Sequence, residues 1–185
     1  MIAPPDSYAA VHRGERLLLL RDQHPPPKKL AEDLEPQARD LEIIRALWRY
    51  RFLLTSQIAR EWWPGKSLYA AQRRLLRMTA AGWVTRFRPR LSKGMHEWIY
   101  QLARKGFDLG RRSWGLDGPY IPPEAKWRPR HVADYNVVQH DLQVNAWVMA
   151  YRRLAGNGVV DWLGPDESRV DVRQPPRFRP QKTYI

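Results

Sequence analysis

The sequence predicts an α+β fold, mainly α with a small β-hairpin and a long C-terminal helix. Three observations carry that expectation. Residues 39–118 hold three helical patterns in close succession. The third is followed by WVTRFRPR, which alternates strictly, and by HEWIYQLA, rich in aromatic and β-branched residues. Residues 132–155 then run as one long apolar-rich stretch with no turn signal. The expected organisation is an N-terminal arm or linker (1–38), a central domain (39–118) and a helix-and-strand extension (119–185), which pairs two copies or begins a second domain.

In the first part, Leu17 to Leu20 form a short apolar run that fits a strand or a turn of helix equally. The run Pro25-Pro26-Pro27 cannot continue a helix or a sheet ladder, so residues 22–37 read as a linker or arm. Asp40 is the expected N-cap of the first helix, with Leu41, Ile44, Leu47 and Trp48 at helical spacing. A short extended piece, FLLT, follows. Thr55 or Ser56 then caps a second helix that Trp62-Trp63-Pro64-Gly65 ends.

Ser67 is the expected cap of the third helix, and Gly82 its C′ residue. Leu68, Ala71, Leu75 and Met78 cluster on one face. Tyr69, Arg73 and Arg77 lie on the opposite face, with Arg74 beside them. In the strand that follows, Trp83, Thr85 and Phe87 point one way and Arg86, Arg88 and Arg90 the other. Lys93-Gly94 supplies the turn, and Pro89 marks an edge free of further pairing. ARKGFDLGRRSWG gives one more short helical segment, residues 132–155 one long helix closed by Gly156, and VVDWLG a strand.

Helix, short strand, helix, helix and hairpin is the order of a winged helix-turn-helix. A major groove about 12 Å wide admits one helix, and a reading helix needs one face for its own core and one for the groove. The charge agrees. Residues 39–118 hold 17 basic against 6 acidic residues, whereas residues 1–38 hold 5 against 6. Genome bias toward arginine would spread cations evenly, so their concentration marks a nucleic-acid surface. The expected DNA-binding residues are Ser67, Tyr69, Arg73, Arg74, Arg77, Arg86, Arg88, Arg90 and Lys93. Tyr69, Arg73 and Arg74 approach base edges. Ser67 and the helix N-terminus bind a phosphate, and the others hold backbone. An ordinary solvated helix face is the plain alternative. It loses ground because the basic tract resumes straight after Gly82.

Other chemistry is not apparent. The chain has no cysteine, which removes disulfides, thiolate zinc sites and cysteine nucleophiles. It has no glycine-rich phosphate loop, no nucleophile elbow and no histidine pair at metal-binding spacing. Asp161, Asp166, Glu167 and Asp171 read as a solvated loop rather than a metal-dependent nuclease site. His140 reads as a partly buried helix residue that does not face Asp141. Trp48, Trp62, Trp83 and Trp147 read as packing residues. No cofactor, metal or membrane span is expected, and the N-terminus is not a secretory signal.

The segments RFLLTSQIAREWWP, RRLLRMTAAGWV and IYQLARKGF, with the later HDLQVNAWVMAYRRL, resemble the replication-relaxation family of plasmids and mobile elements over roughly residues 40–155. His140 and Asn145 stand at comparable places. The resemblance implies a winged-helix DNA-binding module linked to replication, relaxation or transfer. Family members often continue into a nuclease-like domain with a Pro-Asp; Pro165-Asp166 is here without a following Glu-x-Lys, so the chain is a short member or a fragment.

The reading is thus a sequence-specific double-stranded DNA-binding protein and not an enzyme. It is a regulator or replication accessory, bacterial and cytoplasmic, nucleoid- or plasmid-associated, and a homodimer through 132–155, with that helix folding back onto its own domain as the equal alternative. Two alternatives stand beside it. One is a nuclease or nicking accessory with its catalytic part in or beyond the C-terminus, the other a winged helix for protein partners.

Overall fold

Helix α1 (Ala38–Tyr50) turns an apolar stripe, Ile43, Ile44 and Leu47, into the core, where each is fully buried. The structure is a computed structural model and describes residues 19–21, 26–89, 97–128 and 135–156. Asp40 is the third residue of α1, not its cap. Gln37 is the N-cap, and its backbone N–H donates to the Asp40 carboxylate at 2.8 Å.

Strand β2 (Phe52–Leu54) leads into α2 (Thr55–Trp62), whose N-cap is Leu54. The two hydroxyl residues expected to cap α2 lie inside its first turn instead and reach across to residues 97 and 98. Thr55 Oγ1 donates to the Trp98 carbonyl at 3.2 Å, and Ser56 Oγ to the Glu97 carboxylate at 3.0 Å. The Ser56 N–H also donates to Glu97, so a carboxylate distant in sequence serves the open end of α2. Burial nonetheless pushes the Glu97 carboxyl above the usual carboxylate range, against the lowering pull of those hydrogen bonds and of Arg60.

Helix α3 (Leu68–Ala80) has Ser67 at its N-cap position, though without a side-chain cap bond, and is followed by Gly82 at φ +73°, as expected. Ala71, Leu75 and Met78 are fully buried. Leu68 is not a core residue; it is 44% exposed at the first turn.

Strands β1 (Leu19–Arg21), β3 (Val84–Pro89), β4 (Ile99–Leu102) and β2 form one antiparallel sheet in the order β1-β3-β4-β2. The expectation that Pro89 marks a free edge is overturned, because β1 pairs along β3 with Leu19 opposite Pro89 and Arg21 opposite Phe87. A proline removes one donor from a strand, but its carbonyl and its neighbours still pair. One sheet face, with Leu53, Val84, Tyr100 and Leu102, packs on α1 and α3. The other, with Phe52, Leu54, Phe87 and Ile99, packs on Val138 and Leu142 of α5 (Tyr135–Ala155). Phe52 and Phe87 meet edge-to-face at 5.8 Å. Burial on both faces explains why FLL and IYQL are buried without alternation.

Helix α4 (Arg104–Arg112) lies against α1, and a short hairpin, β5 (Trp114–Gly115) and β6 (Gly118–Pro119), follows it. Helix α5 folds back onto its own domain. Its buried Asn145 donates to the carbonyls of Tyr50 at 2.9 Å and Phe52 at 2.7 Å. Those carbonyls flank Arg51, the one described non-glycine residue with positive φ (65°). Asn145 therefore braces the strained corner where α1 turns into β2. His140 is not partly buried: its side chain is 74% exposed, with Nδ1 3.7 Å from the Asp141 carboxylate. Trp147, expected to pack, is 77% exposed. Arg90, the Lys93-Gly94 turn, the VVDWLG segment and the acidic residues 161–171 lie outside the described residues.

Candidate nucleic-acid interface

The basic residues on α3 separate into two sets by what they meet. Tyr69 is 64% exposed, and Arg73 one turn later is also exposed, with its guanidinium 5.8 Å from the Tyr69 ring. Such a contact stiffens the arginine without burying its donors. Ser67 is exposed at the start of the helix, and its hydroxyl does not bond the first turn, which leaves the leading amides open.

Arg74 and Arg77 face another way. Arg74 donates from Nε to Asp40 Oδ1 at 2.9 Å and from Nη2 to Asp40 Oδ2 and to the Glu35 carbonyl (2.8 Å). Asp40 is fully buried and the Arg74 side chain only 14% exposed. The expectation that Arg74 approaches base edges is therefore corrected: it clasps α3 to the start of α1. A fork-shaped guanidinium matched to a buried carboxylate is held too firmly to turn outward. Arg77, half-buried, donates from Nε to the Leu30 carbonyl at 3.1 Å.

The strand cations form a second group. Arg86 and Arg88 both lie over the Trp98 ring, at 4.2 and 5.0 Å from its centroid. Strand alternation puts them on the sheet face of Val84, the face packed on α3, and Arg86 is registered opposite Tyr100. Burial pushes the Tyr100 hydroxyl above its ordinary range, partly offset by Arg86. Arg88 is exposed and Arg86 half-buried. The ring keeps the two like charges ordered side by side, as cation–π contact permits. Sequence reading found the arginines but not Trp98. The available signal was its parity: residues 98, 100 and 102 share one side of a strand, and register with β3 brings residues 86 and 88 to it.

The arrangement thus offers an exposed Tyr69-Arg73 line on α3 and an Arg86-Trp98-Arg88 stack on the sheet face that α3 shares. Among the described residues no group of three or more histidine or acidic side chains is placed to hold a metal ion. No described helix is long and apolar enough to cross a membrane. The family model described as replication-relaxation matches residues 44–173. No curated protein and no solved structure matches the chain.

Proposed function

Since the chain belongs to the replication-relaxation family, which points to a replication-related role on a plasmid or mobile element, we propose that it is a sequence-specific double-stranded DNA-binding protein of winged-helix type. It serves as a regulator or as a replication or transfer accessory. The observation that carries this reading is the placement of Tyr69 and Arg73 outward on α3, with Arg86 and Arg88 stacked on Trp98 on the sheet face shared with that helix. The helix enters the major groove, and Arg86 and Arg88 take phosphates beside it. The role is binding without catalysis or cofactor, at plasmid or nucleoid DNA in the bacterial cytoplasm.

Fluorescence anisotropy on duplexes, including the protein's own upstream region, tests this. Arg73→Ala should relax discrimination between sequences, at a cost of about 1–3 kcal/mol on the preferred site. Arg88→Ala should weaken every duplex alike and make the salt dependence shallower by about one phosphate. Equal losses on all sequences for both variants would defeat this division of labour. No binding of any duplex at low salt would defeat the DNA reading itself.

We also propose that two copies pair through the outer face of α5. Its inner face, Val138, Leu142, Asn145 and Met149, is buried on its own domain. The opposite side exposes Val137, Trp147, Tyr151 and Leu154. Residues 137, 140, 144, 147, 151 and 154 repeat at intervals of three and four, the spacing of a helix-pair seam. A helix apolar on two sides is usually covered on both, and a two-fold pair suits a palindromic site. Sedimentation should show a dimer that Trp147→Glu converts to a folded monomer. A monomeric wild type at micromolar concentration excludes the pair.

A further inference from the structure

The segment before α1 carries a net negative charge and three consecutive prolines, so on composition it stands outside the basic domain. Its described parts are built into that domain at two points. Strand β1 adds to the outside of β3, with Leu20 paired to Arg88. Seven residues after Arg21, the 3-10 turn Lys28–Ala31 begins and packs along α3. The Leu30 carbonyl accepts from Arg77, and the Glu35 carbonyl accepts from Arg74. The chain therefore runs from the strand that carries Arg86 and Arg88 to the flank of the helix that carries Tyr69 and Arg73.

The flank matters. At about 100° per residue, Arg77 lies about 40° and Arg74 about 100° round α3 from Arg73, both to the same side. Arg77 holds the turn itself and Arg74 the Glu35 carbonyl just after it, so the turn sits on that side, next to the outward line rather than behind it. Lys28 and Lys29 are both exposed on this turn. Two arginines thus give up hydrogen-bond donors to order a backbone that presents two other cations. A lysine ammonium on a fixed backbone is a point charge suited to phosphate, with no bidentate geometry to read a base.

We propose that the Lys28–Ala31 turn is a third DNA-contacting element, in which Lys28 and Lys29 take phosphates beside α3 and the Arg74 and Arg77 clasp holds them there. The proposal rests on the DNA-binding reading above and extends it to a segment whose own charge gives no sign of it.

The test uses the full chain and a salt series of anisotropy titrations on mixed-sequence and preferred duplexes. Lys28→Ala/Lys29→Ala should weaken all duplexes by a similar factor and make the log–log salt slope shallower by about one to two. A control, Lys126→Ala/Arg128→Ala, removes two exposed cations from the stretch before α5 and should leave that slope nearly unchanged. Arg77→Lys keeps the charge but loses the Nε donor to Leu30, and should give part of the loss. Wild-type affinity and slope in the lysine double variant, while Arg73→Ala and Arg88→Ala still weaken binding, would overturn this inference and leave the DNA reading standing. An equal loss in the control would overturn it too, since net charge alone would then account for the effect. Absence of DNA binding by the wild type would remove both.

Discussion

Asp40→Ala unfolds this protein at markedly lower urea, with an expected loss of about 3–5 kcal/mol. Three bonds end on that one carboxylate. Arg74 donates to both of its oxygens, and the Gln37 N–H donates to Oδ2 at 2.8 Å. The carboxylate is wholly buried and its guanidinium nearly so. Removing it leaves Arg74 desolvated with only the Glu35 carbonyl for a partner, and leaves the first turn of α1 without its capping acceptor. The loss also reaches α3, because the clasp joins α3 to the start of α1. A double variant separates the pair's charge from its volume. Asp40→Ala/Arg74→Met removes both ions, and an apolar replacement of a buried pair is often neutral or better. It should recover most of the lost stability, short of the cap. A single-variant loss below about 1 kcal/mol in urea unfolding would mean that the pair is solvated and the clasp weak.

The second large effect is expected at Gly106. A Cβ built there meets the Trp83 carbonyl oxygen at 2.1 Å and its carbon at 2.8 Å. These are backbone atoms, and that carbonyl also accepts from the Ala103 N–H at 3.0 Å, at the start of α4. Nothing at the contact can rotate away, so Gly106→Ala must push α4 off β3. Overpacking usually costs about 1–3 kcal/mol and more where backbone must move; the upper part of that range is expected. It outweighs the fraction of a kcal/mol to 1 kcal/mol that alanine gains over glycine inside a helix. Gly110→Ala, facing Ile44 and Ile121 side chains at 2.9 Å, should cost less because side chains can shift. Thermal unfolding with Gly106→Ala equal to or above wild type would refute the close approach. The IYQLARKGF motif thus has a physical reason for its glycine.

Much of the domain is legible in the chain alone. The α3 boundaries, its core positions Ala71, Leu75 and Met78, the place of Ser67 at its start and the Gly82 stop all follow from local period and helix-end preferences. So do the existence of the hairpin strands and of α5. What misled was the identity of partners. Asp40 has the right chemistry for a cap, but it stands three residues after the Gln37 cap and also meets Arg74, 34 residues away. Thr55 and Ser56 bond residues beside β4, more than 40 positions on. Leu68 fits the apolar stripe by angle but sits at the helix end, beyond the elements that cover Ala71 and Leu75.

The candidate interface divides along the same line. Tyr69, Arg73 and Arg88 were readable because exposure follows from helix face and strand parity. Arg74 was not, since a basic side chain on a given face looks the same whether water or a buried carboxylate awaits it. Trp98 as the plate beneath Arg86 and Arg88 depends on β3–β4 register, which the hairpin pattern suggests without fixing.

By itself, then, the sequence determined which elements form and which residues share a face, along with the concentration of positive charge on residues 39–118. These are local properties, set by periods of 3.6 and 2 and by the capping residues. Only the tertiary structure decided that the acidic, proline-rich first segment joins the sheet through β1 and lies along α3. It alone decided that α5 covers the second sheet face through Val138 and Leu142, and that Asn145 braces Arg51. The physical reason is that burial and hydrogen bonding are satisfied between elements. A sequence pattern states what each face offers, and the fold determines what meets it.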